Sequence, residues 1–269
     1  MSVRPAAVAG MFYPDHADEL SQFINNSVAT AENATGKLII GCPKAVIVPH
    51  AGYIYSGLTA AFAYAAVKST AIRRVLLFGP AHRVPFYGMA LPECDVFETP
   101  LGRIELDQES MTAALELPHV CLNDQAHARE HSLEVQLPFL QIVLNDIQLI
   151  PLCVGMVEPE AVAEVMSALW GGDDTLVVIS SDLSHFHAYQ EARAIDEKSI
   201  ETVLAKTDDL SHDQACGATA INALQQIARE KHMSLKLLDY RNSGDTAGDK
   251  DRVVGYASIG CYEHRSAHE

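Results

Sequence analysis

Three apolar runs in this sequence end in turns that carry histidine, and neutral imidazole is both the commonest metal ligand and a general base near physiological pH. Val48-Pro49-His50-Ala51-Gly52-Tyr53 follows the first run, Gly79-Pro80-Ala81-His82 the second, and Ser180-Ser181-Asp182-Leu183-Ser184-His185-Phe186-His187 the third. One such histidine alone is as readily a loop residue capping a carbonyl. Three at equivalent places point to a shared site. A fourth candidate is Cys216, in Gln214-Ala-Cys-Gly-Ala-Thr-Ala220 directly ahead of an apolar helix. There the helix dipole favours thiolate, the form that binds metals or attacks electrophiles. A small buried residue at a helix start is the plainer alternative.

Two further constellations compete. His127-Ala-Arg-Glu130-His131-Ser-Leu-Glu134 sets two histidines four apart with two carboxylates. On one helix that spacing holds a metal, although the order is not that of the zincins. Glu130 and His131 can instead line the main pocket. Ser243-Gly-Asp-Thr-Ala-Gly-Asp249 is glycine-rich and acidic, but it lacks the spacing and final glutamate of a calcium loop.

These residues meet only if the elements that carry them converge. A helix is expected over 15–28, followed by a polar segment at 29–37 that reads as a surface loop. Strands are expected at 44–48 and 74–78 around an alanine-rich helix over 58–67, capped by Ser56 or Gly57. Strand, helix and strand in that span form a βαβ unit with parallel strands. A hairpin follows at 96–99 and 103–106, turning through Pro100-Leu101-Gly102. Helices are expected at 107–117, 132–144 (kinked or broken at Pro138), 159–169, 189–205 and 217–229. Strands are expected at 147–153, 175–180, 235–240 and 253–261. The pattern predicts a single α/β domain over 1–269. In open α/β sheets ligands bind beyond the carboxyl ends of the strands, so His50, His82 and His185 would face one crevice.

Composition limits the function classes. The 269 residues carry a formal net charge of −16 with no basic stripe, which argues against nucleic acid and anionic membranes. No apolar run approaches the roughly 18 residues that span a bilayer, and no secretory leader is recognised, so a cytoplasmic location is expected. The 6 cysteines are scattered without a C-x-x-C pair, which favours reduced thiols.

Taken in order, Val8-Ala-Gly-Met-Phe-Tyr-Pro14, Pro49-His-Ala-Gly-Tyr53, Gly79-Pro80-Ala81-His82, Glu130-His-Ser-Leu-Glu-Val-Gln-Leu-Pro-Phe139, Ser181-Asp-Leu-Ser-His185, Cys216-Gly217, Ser243-Gly-Asp245 and Val253-Val-Gly-Tyr256 resemble the Memo family. This is the B component of the prokaryotic AmmeMemoRadiSam system, and the resemblance covers nearly the whole chain. It implies a fold like that of the class III extradiol ring-cleavage dioxygenases, a central, largely parallel or mixed sheet flanked by helices on both faces.

The resemblance also implies that His50, His82 and Cys216 hold a divalent metal, iron first, with copper and zinc as alternatives. Asp182 and His185 stand beside them as catalytic groups, His185 acting as base or acid and oriented by Asp182. Tyr53, Tyr55, Glu130 and His131 are assigned to the substrate pocket. Cysteine in place of the carboxylate of the dioxygenases is a departure, since thiolate donates more charge to iron and is itself oxidisable. The implied function is oxidoreductase or dioxygenase-like chemistry on a small, phenol-like substrate. The alternative is a non-catalytic metal-handling or peptide-binding adaptor that uses the same pocket, and a third reading pairs Cys216 as nucleophile with His185 as base. The system name implies a functional link to a radical-SAM protein and an AMMECR1-type protein. Whether the chain is an enzyme stays open at this point.

Overall fold

Short runs that are apolar at every position are buried on both faces, as the inner strands of a parallel sheet must be. Ala45–Val48 and Thr175–Ser180 are such runs and are buried throughout. The computed structural model describes residues 1–35, 41–67 and 71–263. In chain order its elements are β1 (Val3–Arg4), α1 (Ala17–Thr35), β2 (Ala45–Val48), α2 (Tyr53–Ala66), β3 (Arg74–Pro80), β4 (Met89–Leu91), β5 (Val96–Thr99) and β6 (Gly102–Leu106). Next come α3 (Gln108–Leu115), β7 (Val120–Leu122), α4 (Asp124–Ala128), α5 (His131–Glu134), α6 (Leu137–Val143), β8 (Gln148–Val154), α7 (Pro159–Ala168) and β9 (Thr175–Ser180). The chain closes with β10 (His185–His187), α8 (Tyr189–Ala205), α9 (Ala218–Glu230), β11 (Ser234–Asn242), a short 3-10 turn at Ser243–Asp245 and β12 (Val253–Tyr262).

The strands form one mixed sheet in the order β1-β5-β6-β8-β3-β9-β2-β12-β10, with β11 on β12 and β4 joining β7 to β8. Its centre, β8-β3-β9-β2, is parallel. The flanks carry the antiparallel pairs β5/β6, β2/β12 and β11/β12. Helices flank the sheet on both faces: α1, α2 and α6 pack on one another, and α7, α8 and α9 form the other group. Among the described residues no helix is long and apolar enough to cross a membrane.

Several sequence expectations need correction. The polar stretch at 29–35 continues α1 as helix, because Ala31 is fully buried and α1 packs along α2. Residues 36 and 37 of that stretch lie outside the described residues. Helix α2 starts at Tyr53 behind Gly52, a turn and a half before the expected start at 58. β2 and β3 are parallel but not neighbours, since β9 lies between them. Pro138 does interrupt its helix: α5 ends at Glu134 and α6 resumes with proline in its first turn, where a missing N–H costs nothing.

Candidate metal centre

β3, β9 and β2 leave the sheet side by side. Two residues beyond them lie His82, Asp182 and His50 respectively. Val48 is paired with Ser180 and Phe78 with Ile179, so the three turns rise from one level of the sheet. His131 arrives from a different part of the chain. Helix α5 rests its first turn on the end of β3, where a Cβ on Gly79 would fall 2.7 Å from Ser132 Oγ and 2.9 Å from Leu133 Cδ2. Only glycine permits that approach, and Ser132 Oγ then donates to the Pro80 carbonyl at 2.9 Å. One ligand atom from each of His50, His82 and His131 lies within 4.8 Å of the others.

Hydrogen-bond accounting decides which ring nitrogens are free. The single hydroxyl hydrogen of Ser180 goes to the Ser132 carbonyl at 2.5 Å. Its oxygen therefore accepts, from Gln136 Nε2 at 2.8 Å and from His50 Nδ1 at 2.8 Å. His50 thus carries its proton on Nδ1 and a lone pair on Nε2. His82 Nδ1 donates to Glu130 Oε1 at 2.9 Å, so in the neutral ring the lone pair lies on Nε2. Burial, then the neighbouring His82 and His131, holds the His50 pKa well below its ordinary value, so its ring stays neutral. His131 Nδ1 lies 3.2 Å from Glu130 Oε1, off the line of a hydrogen bond, and is a buried nitrogen without a hydrogen-bond partner.

Glu130 organises this cluster from behind. Its carboxylate also caps α5, accepting from the amides of His131 and Ser132, and it takes the His82 amide at 2.6 Å. Burial alone would raise its pKa, yet the His131 and His82 rings and these amides outweigh that and hold it well below the usual carboxylate range. A histidine whose far nitrogen is fixed by a carboxylate has the arrangement that orients and strengthens a metal ligand.

Cys216 Sγ sits 3.3 Å from His50 Nε2. A Cβ on Gly217 would fall 2.7 Å from Ser181 Cβ, so glycine at this position lets the segment press onto the end of β9. Burial outweighs the helix dipole expected to favour thiolate. Helix α9 begins only at Ala218, and burial, reinforced by the Asp182 carboxylate, pushes the thiol up to about 12. The Asp182 amide donates to Sγ at 3.2 Å but does not reverse this.

The profile of the family described as Memo-like protein matches residues 4–260, from β1 to late in β12. The chain belongs to the Memo family. A MEMO1 family protein of Aquifex aeolicus is 35% identical over 274 residues, covering 96% of this chain and 99% of its own length. One of Thermoplasma acidophilum is 34% identical, covering 95% and 97%. One of Archaeoglobus fulgidus is 32% identical, covering 96% and 98%.

Two openings reach the centre of this Memo-family chain. The larger, about 520 Å³, is lined by His131, Asp182, His185 and the aromatic residues Phe12, Tyr55 and Tyr256, with Phe186 and Arg252 near its mouth. The second, about 380 Å³, exposes His82 and Cys216 together with His212. Asp182 is buried, which raises its pKa, and its Oδ1 accepts from the His50 amide at 2.7 Å. No hydrogen bond joins it to the His185 ring among the described residues, so the expected orienting contact is replaced by shared lining of the cavity.

Tyr55 lines this cavity as expected, but Tyr53 does not. The earlier start of α2 turns Tyr53 into the core, stacked on Phe23 with its hydroxyl on the Val135 carbonyl at 2.8 Å. The alternative metal pair also dissolves. His127 lies on α4, which ends before Arg129, and its Nε2 is bound to the Ala90 carbonyl at 2.9 Å. Sequence did not single out Ser180 or Gln136 as site residues, although Gln136 lies in a run that carries the family resemblance and Ser180 opens the third histidine-bearing stretch.

Proposed function

We propose that this chain holds one divalent transition metal between His50, His82 and His131, with Cys216 as a fourth donor, iron being the first candidate. The observation that carries the proposal is the pair of imidazoles whose Nδ1 atoms are engaged by Ser180 and Glu130, which leaves Nε2 as the ligand atom of each neutral ring, beside a third whose buried Nδ1 has no hydrogen-bond partner. Neutral imidazole with an adjacent thiol also suits zinc and copper, so ligand type favours a transition metal over calcium or magnesium.

Bound there, such a metal would supply Lewis acidity and redox capacity beside the larger cavity, which His131 lines. The function we infer is dioxygenase-like oxidation of a small aromatic substrate. His185, on the cavity wall, takes the role of proton acceptor from a phenolic hydroxyl. Asp182 fixes the His50 turn by accepting the His50 amide. The aromatic lining excludes water and fits a planar ring.

Oxygen uptake by anaerobically iron-loaded protein given catechols tests this reading. The expected result is uptake that His185→Ala removes while iron content stays unchanged. Metal held with no uptake, and released readily to a chelator, would favour the non-catalytic metal-handling alternative, for which the opening at Cys216 offers a transfer route. Cobalt loading tests the ligand set. A thiolate-to-cobalt absorption lost in Cys216→Ser without loss of stoichiometry supports three histidines plus thiol. Cobalt lost from Cys216→Ser but kept by His131→Ala would reinstate His50, His82 and Cys216 as the full set.

A further inference from the structure

The larger cavity has one cation at its mouth. Arg252 lines it on the loop before β12, and its guanidinium lies over the Phe186 ring, 5.0 Å from the centroid. Among the described residues no carboxylate pairs with it within 4.0 Å, whereas Arg4, Arg74, Arg103, Arg193, Arg229 and Arg241 each have an acidic partner. Asp249 lines the same cavity, and its Oδ1 accepts from the backbone amides of Asp251 at 3.0 Å and Arg252 at 3.4 Å, which ties one of its two oxygens to the loop.

Phe186 is 61% exposed and holds a left-handed backbone at φ 64°, a conformation that costs a non-glycine residue energy. That backbone sits between His185, which faces the cavity, and the ring under Arg252. The ring supports the guanidinium from one side and leaves its edge donors free.

We propose that Arg252 receives the anionic group of the ligand, so that the cavity is built for an aromatic carboxylic acid whose ring lies among Phe12, Tyr55 and Tyr256 with its far end towards His131 and His185. This rests on reading the histidine cluster as the floor of a ligand cavity. It adds the charge class of the ligand and the residue that selects it. An otherwise acidic protein repels a free anion, so a carboxylate enters only where a cation offsets that field. The planar fork of arginine matches carboxylate in a bidentate pair.

The test is binding, read by ligand-observed NMR and calorimetry on the intact chain, metal-loaded and metal-free. The probes are benzoate, phenylacetate and 3-phenylpropionate, each against its neutral primary amide. The expected result is that at least one acid binds about tenfold more tightly than its amide, the worth of one partly exposed charge-assisted contact. Arg252→Ala should abolish that preference, Arg252→Lys should restore part of it, and metal stoichiometry should be the same in all three proteins. Equal affinity of every acid and amide, or a preference that survives Arg252→Ala, overturns the proposal. Absence of stoichiometric metal in the unsubstituted protein would instead overturn the metal-centre reading, and the metal-free titrations would still decide the role of Arg252.

Discussion

Glu130 and Glu134 are one helical turn apart, both without exposed side chain, and they do opposite work. Glu134 is closed off. It pairs with Arg4 at 2.6 Å, takes the Tyr13 hydroxyl at 2.6 Å and accepts from the amides of Ala7 and Val8. Every lone pair has a permanent donor, and the result is to sew the N-terminal strand to the body of the fold. Glu130 has the same burial but no permanent cation. Its partners are amides and the ring of His82, with His131 alongside, so the groups that face it are histidines rather than a fixed cation. A buried carboxylate with a resident arginine is architecture, whereas one behind histidines has the arrangement that orients metal ligands.

The sharpest way to break this contrast is Glu134→Ala. It leaves Arg4 buried and unpaired and should destabilise the protein by about 3–5 kcal/mol, read as a lowered thermal midpoint, while metal binding per folded molecule stays unchanged. A stability loss below about 1 kcal/mol would mean the pair is dispensable.

Next in size is a pH effect on the Glu134 side. Burial lowers the His127 pKa from 6.5 to about 4. Between those values the unfolded chain takes up a proton that the folded one refuses, so stability falls as pH drops from 6.5 towards 4 and levels off below. The expected loss is about 3 kcal/mol. His127→Gln, which keeps a donor towards the Ala90 carbonyl, should flatten the curve in that window; an unchanged curve would assign the dependence elsewhere.

Glu130→Gln is the complementary test. The amide preserves shape and part of the helix cap, so stability should change by less than about 1 kcal/mol, but metal affinity should fall roughly 10- to 100-fold. Equal affinity would reduce Glu130 to a cap. The smallest expected effect belongs to Tyr13→Phe, which removes one of several donors to Glu134 and should cost about 1 kcal/mol with no change in metal content.

The same contrast explains what the sequence discloses. His50 and His82 are legible because each follows an apolar strand in a parallel sheet, and strand ends are where such folds place their chemistry. Asp182 is legible for the same reason. The arrival of His131 as a third imidazole is not, because it depends on α5 resting against Gly79, a contact between segments that are distant in the chain. In sequence His131 looks like the partner of His127, and only the break at Arg129 separates them. Tyr53 and Tyr55 look equivalent until the first residue of α2 is known, since that start sets which of the two faces the core. The state of Cys216 depends on how deeply the surrounding loops bury it, and burial outweighs a helix dipole that sequence can suggest.

The central claim is that residues beyond β2 and β3 build a metal centre, and metal content measures it directly. Protein purified without oxygen, loaded with ferrous iron and desalted should hold one iron per chain by elemental analysis. His50→Ala combined with His82→Ala should hold none while keeping the thermal midpoint of the metal-free parent. Full iron content in that double variant, or no stoichiometric iron, copper or zinc in the unsubstituted chain, would contradict the account.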